Sequence, residues 1–236
     1  MQEQPKLNEE EAQLNTTLKT KADIGRYIQV AKRMGYVNRS DPPKNWDNVK
    51  ALDWVMQHHP DRDVVILDAG GIPASAFLPT LQKFGYKRLV ALDLSNPEPS
   101  RFQGNITYKR GDITKTTYPD NYFDAVGCLS VVEHGVPLEE FFAEMARVMK
   151  PGGSLIVSTD YWDEKIINQD GRQAYGVPVH IFSRQEMQEA IEIGAKHGFQ
   201  ISSPVDFDCQ ERTISWMGFD YTFIVVCFQK KKSVIE

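Results

Sequence analysis

Asp63-Val64-Val65-Ile66-Leu67-Asp68-Ala69-Gly70-Gly71 (63–71) is the stretch on which the fold of this chain turns. Four consecutive apolar residues, three of them β-branched, stand between aspartates, the pattern of a short strand buried on both faces. The two glycines that follow end the strand and let the backbone approach whatever lies beyond it.

Working toward the C-terminus, the same unit recurs. A helix of about ten residues carries Phe77, Leu78 and Leu81 at helical spacing and stops at Gly85. Arg88–Asp93, Ile106–Arg110 and Phe123–Leu129 read as the second, third and fourth strands. Pro137 opens a further helix (Leu138, Phe141, Phe142, Met145, Val148, Met149), which Pro151-Gly152-Gly153 breaks before a fifth strand at Ser154–Thr159. Ser183 followed by Glu186 fits a capping box, and that helix runs to Gly198. Phe199–Ser202 and Tyr221–Gln229 are the last strand candidates. Strands separated by helices call for crossover connections and a mainly parallel sheet.

Toward the N-terminus, residues 1 to about 20 read as a solvated arm, with partial helix left open. One helix then follows with Ile24, Tyr27, Ile28, Ala31 and Met34, and another with Val49, Leu52, Val55 and Met56 ahead of Pro60. These two precede the first strand and are expected to pack as an extension or lid. The expected division is a helical extension over 1–60 and a ligand-binding domain over 61–236.

In an open parallel sheet, ligands bind beyond the carboxyl ends of the strands. The first exit is Asp68-Ala69-Gly70-Gly71-Ile72-Pro73-Ala74, where glycines and a following helix suit a close-lying carboxylate or phosphate, although a tight turn also explains paired glycines. At the second exit, Asp93 is placed to accept from both hydroxyls of a ribose, the alternative being an aspartate that caps its own loop, Asp93-Leu94-Ser95-Asn96-Pro97. The third exit, Gly111-Asp112-Ile113, offers a carboxylate to an exocyclic amine. The fourth is Leu129-Ser130-Val131-Val132-Glu133-His134.

With these exits in order, the stretch from about Val64 to Thr159 resembles the core of class I S-adenosylmethionine-dependent methyltransferases, in particular the broad small-molecule group. The resemblance is carried by Phe123-Asp124-Ala125-Val126-Gly127-Cys128-Leu129-Ser130-Val131-Val132-Glu133-His134 and by Arg147-Val148-Met149-Lys150-Pro151-Gly152-Gly153-Ser154-Leu155-Ile156-Val157-Ser158. It implies a Rossmann-like, doubly wound α/β fold: a mainly parallel seven-stranded sheet with an antiparallel last strand, plus the N-terminal helical extension. It implies S-adenosyl-L-methionine as cofactor. Asp68 would order the glycine loop and the methionine ammonium, Gly70 and Gly71 would lie against the amino-acid part, and Asp93 would bind the ribose diol with Leu94 against the adenine. Asp112 would accept from the adenine amine, the Ile113 N–H would donate to the ring, and the Leu129 or Ser130 backbone would face the methionine amine. The chain departs from the family's glycine pattern at Ile72 and Ala74.

The sulfonium methyl is already activated, so the protein must chiefly align a nucleophile with the C–S bond, and a hydroxyl nucleophile also needs a base. Candidate catalytic residues are His134, which follows the fourth strand and is open to the alternative of a histidine bonded to local backbone, with Asp160 and Tyr161 after the fifth. His180 reads as structural, and Asp160 with Asp163 makes too thin a pair for a metal site, so no metal is expected. Tyr161, Trp162, Tyr175 and Trp216 are candidate walls of a substrate pocket.

Composition narrows the partners. Apolar residues at 41% suffice for a substantial core, and a net charge of -5 gives no footprint for a phosphate backbone. The chain has neither an Asn/Asp-Pro-Pro-Tyr/Phe tetrad after the fourth strand nor a Pro-Cys dipeptide, which argues against base methylation. Three cysteines with no CxxC pair encode neither a zinc knuckle nor a disulfide framework. Met1–Glu11 is polar, and no apolar run approaches membrane-spanning length. The expectation is a cytoplasmic enzyme that methylates a small molecule, such as a sugar or secondary metabolite, on oxygen or nitrogen. Nucleic acid and membrane are not expected as partners, and a homodimer is left open. Two rivals stand beside it: a binding or scaffold protein that has lost catalysis, and an NAD(P)-dependent reductase using Tyr161 and Lys165.

Overall fold

A computed structural model describes residues 7–36, 38 and 40–232. The chain runs α1 (Glu9–Ala12), β1 (Thr16–Thr17), α2 (Lys21–Arg33), a 3-10 turn (Pro42–Lys44), α3 (Asn45–His58), β2 (Val65–Ala69), α4 (Phe77–Lys83), β3 (Arg88–Asp93) and β4 (Arg101–Gln103). It continues with β5 (Ile106–Arg110), β6 (Phe123–Leu129), α5 (Leu138–Val148), β7 (Met149–Tyr161), β8 (Gln173–Ala174) and β9 (Val177–Pro178). The last elements are α6 (Arg184–Lys196), β10 (Phe199–Ile201), β11 (Ile214–Trp216) and β12 (Phe219–Lys230).

Strands β5, β3, β2, β6 and β7 lie side by side and parallel, in that order, and β12 closes the row antiparallel to β7. With β10 on the far side of β12, these make the expected seven-stranded sheet with an antiparallel last strand. The whole sheet counts ten strands, because β1, β4 and β11 add two- or three-residue edges. Segments that short carry no readable alternation. Helices α2, α3 and α4 cover one face, where Leu52, Leu78, Ile156 and Val225 share a cluster. Helices α5 and α6 cover the other, where Phe142, Met187, Leu155 and Val226 meet. This is a doubly wound layer architecture. Ser183 caps α6 with a complete capping box to Glu186.

Residues 7–20 are not the solvated arm read from the sequence. Leu14 and Leu18 are buried, and Thr16–Thr17 pairs with Val225 and Ile224 of β12. Asn15 explains the anchoring: its amide donates to Ser202 Oγ and Ser203 O, and its Oδ1 accepts the Cys227 N–H at 2.7 Å. Helix α3 buries eleven of its fourteen residues, including Asp47, which accepts the Ser158 hydroxyl at 2.6 Å across the sheet edge. Lys50 is 1% exposed and donates to the Glu11 carbonyl at 3.1 Å. No described helix is long and apolar enough to cross a membrane.

Candidate functional site

Strand β2 delivers Asp68 and the glycines to the carboxyl edge of the sheet. Gly70 adopts φ +89, and a Cβ there would lie 2.3 Å from Val131 Cγ2. A Cβ at Gly71 would lie 2.5 Å from Asp68 Cγ. Both positions therefore demand glycine. Ile72 and Ala74, which depart from the family pattern, are exposed and carry no such demand. The Ile72 N–H donates to Ser75 Oγ and the Ser75 N–H returns to Ile72 O, so this loop closes on itself and α4 begins only at Phe77. The helix is shorter and later than the sequence suggests, and its N-terminus does not abut the glycines.

Asp93 and Asp112 are built alike. Asp93 Oδ1 accepts the Ser95 N–H at 2.7 Å, and Asp112 Oδ1 accepts the Thr114 N–H at 2.8 Å and the Thr114 hydroxyl at 2.7 Å. Each aspartate thus caps its own loop through one oxygen, which fixes the carboxylate without using it up. Asn96, 3% exposed, ties the exits together by donating to Gly71 O at 2.8 Å and Lys109 O at 3.2 Å. Sequence reading left Asn96 unremarked, although its place three residues after an exit aspartate is a usable signal.

Gly70, Asp93, Leu94, Asp112, Ile113 and Ser130 line one cavity of about 560 Å³. Leu94 is 66% exposed, a large apolar side chain at the cavity's lip. On the other side of Gly70 lies a smaller cavity of about 100 Å³, lined by Leu129, Asp68 and, from the N-terminal segment, Tyr36, Asn38 and Lys44. Asp68 is buried and its Oδ2 has no hydrogen-bond partner among the described residues. Burial, with the nearby charge of Asp93, pushes its carboxyl up to about 7 against the opposing pull of Lys44. Ser130 stands at φ +54; its N–H donates to Ser158 O and its hydroxyl accepts from Lys44 Nζ at 2.6 Å.

Of the candidate catalytic residues, His134 lines the large cavity. Its ring meets Tyr175 edge-on at 4.9 Å, and burial together with Lys44 lowers its pKa. Tyr175 stands at φ +54 and Gly176 at φ +83, the tip of the β8–β9 hairpin reaching over the cavity. Trp162 and Trp216 pack instead against the apolar cluster on the α3 face. Asp160, 5% exposed, is held well above the usual carboxylate range by burial and by Glu133. Tyr161 points to the opposite face of β7 and is fully buried, its hydroxyl donating to Phe207 O at 3.2 Å. Lys165 pairs with Glu186 at 2.7 Å, and Tyr161 belongs to a strand rather than a helix, so the reductase pair is not assembled. Asp163 is tied to Arg184.

Glu133, quoted in the fourth-exit motif but not singled out, is 2% exposed and accepts from Thr159 Oγ1 at 3.0 Å. Burial lifts its carboxyl to about 7. Asp47, Glu133 and Asp160 thus form a buried acidic set with Lys44 beside it. Lys44 and Asp47 come from the segment between α2 and β2, and only the fold brings them to the exits.

Comparison with known proteins bears on the domain and the fold. A model of the methyltransferase domain matches residues 67–157. Sterol 24-C-methyltransferase of Yarrowia lipolytica is 31% identical over 129 residues, which is 50% of this chain and 32% of that protein. The chain spans less than half the length of the curated relatives it matches. Among solved structures, the [4+2]-cyclase SpnF superposes with a TM-score of 0.61 at 16% identity, over 80% of this chain and 84% of that one. Geranyl diphosphate C-methyltransferase from Streptomyces coelicolor, solved with Mg2+, geranyl diphosphate and S-adenosyl-L-homocysteine, superposes with a TM-score of 0.55 at 16% identity, over 82% and 88%. Likeness at this identity concerns the fold.

Proposed function

From the match of a methyltransferase-domain model to residues 67–157, we propose that the chain is a class I S-adenosylmethionine-dependent methyltransferase that binds its cofactor along the strand exits and methylates a small molecule. The observation that carries the reading is the pair of pre-set aspartates, Asp93 and Asp112, on the rim of one cavity with Leu94 and Ile113 between them. The cradle fits the group independently of any relative: Gly70 lines the cavity, and beside it Asp68 holds an unpartnered buried oxygen.

In this reading Asp93 holds the ribose diol, Leu94 covers the adenine, Asp112 accepts from its amine and the Ile113 N–H donates to the ring. Asp68 takes the ammonium, with the Leu129–Ser130 backbone beside it. The cofactor supplies an activated methyl group, so the residues around it need only orient an acceptor and receive its proton. His134 is suited to that second task. A lowered pKa leaves its imidazole neutral near pH 7, and it lines the cavity. Glu133 and Asp160, both pushed up by burial, do not line that cavity and are not the first base. The acceptor is therefore a small molecule whose reacting atom releases a proton. The curated relative's carbon methylation leaves oxygen, nitrogen and carbon acceptors all compatible with this chemistry.

Replacing Asp93 with alanine is expected to weaken S-adenosylhomocysteine binding at least tenfold, about 1.4 kcal/mol, by removing charge-assisted bonds to the ribose. Titration calorimetry on the folded variant reads this directly. Unchanged affinity would remove Asp93, and the strand-exit reading with it.

A further inference from the structure

Between the loop that follows β6 and helix α6 lies another cavity, of about 490 Å³, that the cofactor reading leaves without an occupant. Val132, Leu138, Val179, Phe182 and Ile193 form apolar walls, and Leu138 and Ile193 are only half-buried, with apolar surface left over after packing. Three carboxylates line the same space: Glu133, Glu186 and Glu189. Glu186 is spent on Lys165 at 2.7 Å and on the Ser183 cap. Glu133 and Glu189 form no ion pair among the described residues; the Thr159 hydroxyl donates to the first and the Gln185 amide to the second. Glu133 is 2% exposed, and a charge buried there without a partner is costly. Lys44, whose charge reaches Glu133, is already paired with Asp47, and it is one ammonium beside three buried carboxyls, Asp47, Glu133 and Asp160. Without a ligand the surplus is relieved by protonation, which is why burial lifts Glu133 to about 7. His180 also lines the cavity, but burial and Lys165 lower its pKa, so near pH 7 it does not supply the missing positive charge. Apolar walls with an acidic surplus complement one ligand chemistry, an ammonium carried on hydrocarbon.

We propose that this cavity is a second ligand site, which takes a hydrophobic ammonium with Glu133 answering its charge and Val132, Leu138, Phe182 and Ile193 covering its hydrocarbon. Glu189, exposed on α6, adds negative potential at the mouth. The site stands apart from the cofactor reading. Asp93 and Asp112 line the other cavity, and the two spaces share only Gly135 and Val136. Successive residues of one loop, Glu133 and His134, thus face two different ligands. An anion is repelled here, and a neutral alcohol leaves the carboxylate unpaired.

The test is titration calorimetry of the full chain at pH 8 with n-octylammonium, 1-octanol and octanoate, each below its micelle concentration. Octylammonium is expected to bind about tenfold more tightly than octanol, the margin of one charge-assisted contact, and octanoate more weakly than either. n-Butylammonium, which buries four fewer CH₂ groups, is expected to bind more weakly than octylammonium by about tenfold or more. Glu133→Gln keeps an acceptor for the Thr159 hydroxyl and is expected to lose about tenfold for octylammonium, with octanol unchanged within about twofold. If that variant does not fold, Glu189→Gln on the exposed face of α6 decides, with about a threefold loss confined to octylammonium. Saturating S-adenosylhomocysteine is expected to leave octylammonium affinity unchanged. Absence of octylammonium binding, equal affinity for octylammonium and octanol, an affinity that the deciding substitution leaves unchanged or lowers equally for both probes, or displacement by S-adenosylhomocysteine overturns the inference and leaves the cofactor reading standing. Failure of S-adenosylhomocysteine itself to bind overturns that reading and leaves this site untouched.

Discussion

A chain lacking residues 1–58 is expected to show no cooperative thermal unfolding and no near-UV circular dichroism. The segment supplies Leu14, Leu18, Tyr27, Val30, Met34, Trp46, Val49, Leu52, Val55 and Met56 to a cluster shared with Ile66, Ala91, Ile156, Phe223 and Val225 of the sheet. Each such side chain contributes roughly 1.5–3 kcal/mol when buried, and a whole domain is stable by only about 5–15 kcal/mol. The deletion also strips Asn15 from the Cys227 backbone N–H and Asp47 from the Ser158 hydroxyl, both in the interior. A cooperative transition in 59–236 near the midpoint of the full chain would show that the N-terminal helices are an appendage.

Asp68→Asn is expected to have opposite effects on stability and on binding. In the ligand-free protein, burial holds the Asp68 carboxyl at about 7, with the charge of Asp93 adding to the shift. A carboxyl whose folded pKa lies above its unfolded value stabilises fully below the unfolded value of 3.8, and that stabilisation is lost as pH rises through about 7. Asparagine has no proton to lose. The variant's advantage in melting temperature should therefore grow from pH 4 to pH 7 and level off above, at about 2–4 °C per kcal/mol for a domain of this size. The amide cannot pair with an ammonium as a carboxylate does, so S-adenosylhomocysteine affinity should fall at least tenfold. A midpoint below that of the wild type at pH 8, or intact affinity, contradicts this role for Asp68. The combination is the usual signature of a site whose ligand relieves a strain present without it.

Much of this was legible in the sequence, for identifiable reasons. Val65–Ala69 and Arg88–Asp93 announce themselves because strands buried on both faces must be apolar runs. Asp93 and Asp112 are legible because an exit aspartate followed two residues later by Ser95 or Thr114 encodes its own turn, and the structure reveals that capping the loop and presenting the carboxylate are compatible. What escaped depends on contacts far apart in the chain. Tyr36, Lys44 and Asp47 lie before β2, and nothing in their local pattern brings them to Asp68 or Ser158. Asn15 sits in a stretch that reads as polar arm until its partners at Ser202, Ser203 and Cys227 are known. Tyr161 reads as an active-site residue by proximity to a strand end, yet the two-residue period of β7 turns it away from Asp160 and into the core.

The most direct measurement is a crystal structure of the chain grown with saturating S-adenosylhomocysteine. The expected result is the nucleoside in the larger cavity, lined by Asp93, Leu94, Asp112 and Ile113, with its ribose hydroxyls within hydrogen-bond reach of Asp93 and its adenine amine at Asp112. A nucleoside bound elsewhere, or a cleft without density while those two carboxylates keep only Ser95 and Thr114 as partners, is the contradicting result.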